Sequence, residues 1–402
     1  MTRAPSRSLA LLGLWAAVGC SGSGSPANGN PSDAASGTGD SGASPDAPPP
    51  GEAVSLPVLD SGPTPFYPRT DLPTGTVLVA DLNAEVLAVG QDDDALYYIG
   101  FSDVAGGQEA LGRLVKSGTA PPQTLAVVET LGFIAVDDSF AYFAQANGTV
   151  DRVPKLGGSV DVVASGRGMV AGMAVDSNTL YWTEYSIVGD AGPSSIDAGI
   201  WTMPKSGGAP VLAAPTAPTR FLATDGNGAL AWDNDQGVFW SSGAGGAVAN
   251  VQSGEANYFA PVIAGGAVFW LLPVGAGAIP TFYGWLPGSG QQDAQSGAFA
   301  TVPFVPSAAD GTGTQLSLGA GEAFTADGQS MYWAYDGAIF RVSVASGSIE
   351  QISSWAPKET SSACLVQESA LPFLLVDESS VYAFDFWQDC TGLHGDIRAF
   401  AK

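Results

Sequence analysis

The chain has one histidine, three cysteines and only 14 Lys and Arg in 402 residues, against 39 Asp and Glu, for a net charge of −25. Scarce histidine removes most imidazole-based metal sites and triads; no G-x-S-x-G elbow accompanies His394 in its Gly-rich surroundings, which favour a surface or packing role. Scarce positive charge means that phosphate backbones are repelled, which excludes nucleic acid as a partner and disfavours anionic membrane surfaces. There is no C-x-x-C pair and no phosphate-cradling glycine loop, so no catalytic group, metal or cofactor is expected. Gly 53 and Pro 28 leave little room for long helices. What is present is a core: 45% of residues are hydrophobic and 10% aromatic.

The N-terminus carries an address. Arg3 and Arg7 precede the apolar run 9–18 (LALLGLWAAV), a secretory h-region too short to span a bilayer. Its ending, Ala17-Val18-Gly19-Cys20, resembles the bacterial lipobox. The resemblance implies cleavage before Cys20 and a lipid anchor on that residue. Ser21, where an aspartate often marks inner-membrane retention in similar lipoproteins, favours the outer membrane. Residues 21–53 are almost wholly Gly, Ser, Pro, Ala, Asp and Asn, and cannot offset their ordering entropy by burial. The expected organisation is therefore a signal peptide over 1–19, a lipidated cysteine and flexible tether over 20–53, and a folded domain over 54–402.

The folded part repeats. An apolar strand, an Asp/Gly/Ser turn and an aromatic strand recur as LAVGQDDDALYYI (87–99), IAVDDSFAYFA (134–144), MAVDSNTLYWT (173–183), LATDGNGALAW (222–232), VIAGGAVFWL (262–271), FTADGQSMYWA (324–334) and LLVDESSVYAF (374–384). The aligned anchors Tyr97, Tyr142, Tyr181, Ala231, Phe269, Tyr332 and Tyr382 are 38 to 63 residues apart. A second strand–turn–strand half follows in most copies, as in GIWTMPKSGGAPVLAA (199–214). Two hairpins make a four-stranded blade, apolar on both faces because its neighbours stack against it. The fold class is all-β: a single β-propeller, with seven four-stranded blades expected and six or eight as alternatives. The last copy lacks a fourth strand, which 76–80 upstream can supply. Leu180-Tyr181-Trp182-Thr183-Glu184 resembles the YWTD signature of YWTD-like and NHL-like propellers, although the full tetrad appears nowhere.

Recurring Asp137, Asp176, Asp225, Asp327 and Asp377 read as turn formers rather than as a ring of cation ligands. Asp233-Asn234-Asp235-Gln236-Gly237 resembles the start of a calcium loop but lacks its downstream carboxylate. With Cys20 lipidated, Cys364 and Cys390 remain as an even pair for a disulfide. Turns on one face are uniformly short. The other face is expected to carry long irregular loops at 102–111, 184–198, 273–281 and 385–395. These bring Tyr185, Asp190, Asp197, Trp387 and Asp389 to one rim as ligand-binding candidates. The reading is an envelope lipoprotein that binds a macromolecule or glycan through that face without chemistry of its own. The alternatives are a cation-dependent propeller enzyme, such as a lactonase or glycan-cleaving enzyme, and a scaffold subunit of an outer-membrane assembly.

Overall fold

A computed structural model describes residues 72–402 except 80–81, 83, 103–107, 188–192, 217–218, 235, 254–260, 273–280, 288–297, 302–323, 336–337, 345, 347, 355–366, 369–372 and 390–391. The signal segment, Cys20, the tether, Asp190, Cys364 and Cys390 lie outside the described residues. Within them, every regular element is a strand, and the strands form seven antiparallel sheets of four, one with a short addition.

Blade 1 opens with Ala84–Gln91 and Ala95–Ser102 and closes with Gln108–Val115 and Gln123–Val128. The pattern repeats through blade 6, and the first strand of each blade packs beside the first strand of the next. The last of these, Phe373–Val376 in blade 7, packs beside Ala84–Gln91, so the ring closes at seven. All seven blades carry a bulge between their third and fourth strands, such as that at Leu111/Gly112. A bulge increases the local twist, which splays each outer edge away from the axis.

Burial explains why the aromatic strands recur. The core is not one mass but seven clusters, one per seam between blades. Each anchor faces the following blade, as Tyr142 does toward blade 3, while the next residue faces the preceding one, as Phe143 does toward blade 1. Trp182, Trp232, Trp270 and Trp333 hold the latter position in blades 3 to 6 and are at most 1% exposed. Each such side chain stabilises its seam by roughly 1.5–3 kcal/mol through area removed from water.

Strands from both ends of the propeller complete blade 7. Thr76–Val79 pairs antiparallel with the last strand, Gly392–Ala401, with Thr76 opposite Ala399 and Val79 opposite Ile397. Of the preceding residues, Pro73 crosses to blade 6, where the Ser354 N–H donates to its carbonyl oxygen at 3.2 Å, while within blade 7 Arg398 Nη1 donates to Thr74 O at 3.2 Å.

The long irregular loops require correction. In blade 7, Ser380–Asp389 and Gly392–Ala401 stay paired from Ser380↔Ala401 out to Asp389↔Gly392, so 385–395 is hairpin rather than loop. Blade 3 continues likewise to Ile187↔Pro193, and blade 1 pairs to Ser102↔Gln108. The physical reason is local: Phe386, Trp387, Tyr185 and Ile187 favour extended backbone, and nothing in these runs terminates a ladder. His394 consequently lies on a strand, opposite Trp387. A short strand, Gln367–Glu368, pairs alongside at Gln388 and Trp387.

Candidate functional site

Antiparallel blades give the ring two unlike ends. The first-to-second and third-to-fourth turns share one end; the second-to-third hairpins and the connections between blades share the other.

At the short-turn end a single constellation repeats. Asp92 Oδ1 accepts the N–H of Asp94 at 2.8 Å and of Ala95 at 2.7 Å, while Oδ2 accepts the Tyr97 hydroxyl at 2.8 Å. The same pattern joins Asp137 to Tyr142, Asp176 to Tyr181, Asp327 to Tyr332 and Asp377 to Tyr382. Carboxylates accept at turns because they satisfy N–H groups that the tight chain reversal leaves free. Asp225 makes a wider version, reaching the N–H of Ala229. The turn-forming role expected of these aspartates is the one observed.

The sequence reading missed a third member. Lys155 of blade 2 reaches back to Asp92 of blade 1 at 2.5 Å, and Lys205 of blade 3 to Asp137 of blade 2 at 2.9 Å. Lys116 of blade 1 reaches Asp377 of blade 7 at 2.8 Å, and Lys402 pairs with Asp327 of blade 6. Each lysine directly follows the third strand of its blade, so a signal was present: VKSG, PKLGG, PKSGG and the terminal Ala-Lys. Burial alone would push these carboxyls up; the lysine, tyrosine and backbone donors outweigh it and hold Asp92, Asp137, Asp327 and Asp377 below the usual range. Burial first, then the neighbouring carboxylate, pushes the tyrosines up, to about 12 for Tyr181 and Tyr382.

The hairpin end is built differently. Tyr185 lies on Thr179–Ile187, Asp197 on Pro193–Pro204, and Trp387 and Asp389 on Ser380–Asp389; for these four the description stops at the backbone. They occupy two separate hairpins, in blades 3 and 7. Segments 100–110, 184–198 and 385–396 contain two, three and three Asp or Glu and no Lys or Arg.

At the base of the blade 3 hairpin lies a buried ion pair that the sequence did not reveal. Glu184, 5% exposed, accepts Arg167 Nε at 2.6 Å, the Gly168 N–H at 3.3 Å and the indole N–H of Trp182. The Arg167 guanidinium lies 4.0 Å over the Trp201 ring. In blade 2, Asp151 Oδ2 accepts Gln145 Nε2 at 3.1 Å, while the buried Oδ1 has no partner. In blade 4, Asp233 Oδ1 accepts the Phe221 N–H and Asn234 Oδ1 the Gln236 N–H, so this stretch builds a hairpin turn. Among the described residues no three His, Cys, Asp or Glu side chains converge as a metal set would.

No family model matches the chain, and no curated protein matches it. Solved structures resemble it in layout. YCF48 bound to D1 peptide is 11% identical, covers 87% of this chain and 100% of its own, and gives a TM-score of 0.49. BamB from Moraxella catarrhalis is 14% identical over 78% of this chain and 85% of its own, with a TM-score of 0.42. An oligogalacturonate lyase in complex with manganese is 11% identical over 77% and 86%, with a TM-score of 0.47. At such identity and overlap these are likenesses of shape and carry no assignment of partner or chemistry.

Proposed function

We propose that the chain is an outer-membrane lipoprotein, anchored through Cys20, whose propeller binds a macromolecule with its hairpin end and performs no chemistry of its own. The observation that supports this most is the asymmetry of the ends. One is drawn tight by Asp, Tyr and Lys; the other projects paired hairpins from blades 1, 3 and 7. A rigid ring that lifts hairpins from one end presents a preorganised surface, which lowers the ordering cost of binding. Of the eight carboxylates in those hairpin segments, Glu184 and Asp396 are buried and paired with arginines; the other six and the lack of Lys and Arg in the segments favour a partner with a basic surface over an anionic glycan. In the same reading Cys364 and Cys390 form a disulfide, to be checked by non-reducing peptide mapping.

The test places a photo-crosslinking residue at Ile187 or Trp387, and as control at Leu156, in full-length protein expressed in a Gram-negative envelope. A discrete adduct from the hairpin positions, lost at high salt and absent from the control, supports the reading. Equal adducts from all three positions, or none from the hairpins, overturn it. Normal lipid incorporation into a Cys20→Ala variant would remove the anchor from the proposal.

A further inference from the structure

The four lysine ties are not spread around the ring. They join blades 6 to 7, 7 to 1, 1 to 2 and 2 to 3, one unbroken arc. At the other three seams the residue after the third strand is Ser242, Leu286 or Val344. Opposite these stand Asp176, Asp225 and Gly265 at the position the tied aspartates hold.

Among the described residues, backbone contacts stand at two of these seams. Between blades 3 and 4 the Ser177 N–H points to Gly226 O at 3.5 Å. Between blades 5 and 6 two glycine turns meet backbone to backbone, so a Cβ on Gly265 would lie 3.0 Å from the Gly328 Cα.

A second observation points the same way. The seam-filling tryptophans of blades 3, 4 and 5 are equivalent, but only one finds an acceptor in its own hairpin. The Trp182 indole N–H donates to Glu184, whereas Trp232 Nε1 and Trp270 Nε1 are buried without a partner among the described residues. An unsatisfied buried donor weakens the folded packing around it, because opening returns that donor to water. These two orphaned donors lie in the seams between blades 3 and 4 and between blades 4 and 5; the buried indole N–H of Trp201, likewise without an acceptor among the described residues, sits in the tied seam between blades 2 and 3, where the Arg167 guanidinium covers its ring.

We infer that the ring opens at a fixed sector, the three seams from blade 3 to blade 6, while blades 6, 7, 1, 2 and 3 stay together as one tied arc. The two ends of the propeller, which meet in blade 7, are not the place of opening: Lys402 and the Ser354–Pro73 bond bind blade 6 to blade 7 from both of them. A ring that yields in one sector gives a bound partner a way to alter the spacing of blades 4 and 5 while the anchored arc keeps its shape.

The equivalent tryptophans supply the readout, since all four are at most 1% exposed in the closed ring. Hydroxyl-radical footprinting of the full chain, with oxidation followed residue by residue, should modify Trp232, Trp270 and Trp333 at least fivefold faster than Trp182, which lies in the tied seam between blades 2 and 3. Lys205→Met, which unties that seam, should raise oxidation of Trp182 severalfold and leave Trp270 unchanged. Ser242→Lys, which offers Asp176 an ammonium partner, should slow Trp232. Equal rates for the four tryptophans in the unaltered protein, or a Trp182 rate indifferent to Lys205→Met, would overturn the inference.

Discussion

Lys155 and Asp92 belong to different blades and meet at 2.5 Å, and the carboxylate oxygen that takes the ammonium also takes the Tyr97 hydroxyl. One oxygen thus links a turn, a strand and the neighbouring blade. Both side chains are largely shielded, with 18% and 13% of their surface exposed, so solvent screens the pair less than a surface ion pair. Lys155→Met should destabilise the protein by about 1.5–3 kcal/mol, the range for hydrogen bonds to charged groups. Urea titration of the variant measures it; Lys358→Met, which changes a lysine outside the described residues, serves as the control.

Acid should undo the ties together. The folded-state carboxyls of Asp92, Asp137, Asp327 and Asp377 lie below the ordinary value of 3.8. Depressed carboxyls contribute stability that is complete above the unfolded value and is lost as pH falls through the folded one. Thermal midpoints should hold steady from neutral pH to near 5, then fall steeply below about 4. The fall should be shallower in a Lys155→Met, Lys205→Met double variant, which has less to lose.

Alkali acts on the same constellation from the tyrosine side. Tyr181, Tyr332 and Tyr382 are pushed from 10.0 to about 12, and Tyr97 and Tyr142 also go up, by burial first and by the bonded aspartate next. A raised tyrosine contributes stability that is present below pH 10 and lost as pH climbs toward the folded value. Tyrosinate absorbance should therefore rise in two phases, exposed rings first and these five only with the loss of β circular dichroism. Smooth titration of all eleven tyrosines without unfolding would contradict the geometry.

The architecture was legible because the repeat encodes it twice, in the spacing of the anchors and in their chemistry. Tyr142 next to Phe143, or Tyr181 next to Trp182, has use for both rings only if each face of the blade meets a neighbour. The closing strand could be read from the repeat, since the seventh copy shows three strands where the others show four, and Thr76–Val79 takes the remaining place. The ties were harder to see: Lys155 and Asp92 are 63 residues apart, and a K-x-G-G turn looks complete without a partner. Hairpin length was misread for a related reason. Gly392 and Gly395 resemble loop composition, yet the strand paired with theirs holds Phe386 and Trp387, and pairing across strands decides the matter.

The strand contributed from the N-terminal side should be needed for stability although the sequence before it is not. Removing 72–79 exposes the ladder edge of Gly392–Ala401, withdraws Leu78 and Val79 from the seam between blades 7 and 1, and cuts the bonds at Pro73 and Thr74. The expected loss is on the order of 2–4 kcal/mol from the burial of two aliphatic side chains and their backbone bonds. Removing 21–50 should leave the melting temperature unchanged. Equal melting of the two deletions would mean that the last blade does not depend on this strand.

The ion pair under the blade 3 hairpin should be worth more than any single tie, because it is more deeply buried and has further donors. Glu184 takes Arg167, the Gly168 N–H and the Trp182 indole at once, and Arg167 is held against Trp201. Glu184→Leu leaves a guanidinium and an indole N–H without their acceptor and should cost about 3–5 kcal/mol, the range for breaking one side of a buried pair. Glu184→Gln keeps an acceptor and gives up only the charge, so its cost should be about 1–2 kcal/mol. Arg167→Met added to Glu184→Leu removes the stranded charge, and the double variant should be more stable than Glu184→Leu alone. The Arg167 N–H donates to Gly148 O at 2.9 Å, a backbone bond that none of these side-chain substitutions removes. Urea titrations of the four proteins give the coupling directly. A double variant as unstable as the sum of its singles would mean that Arg167 and Glu184 act independently and that the hairpin is held up by Trp182 and Trp201 alone.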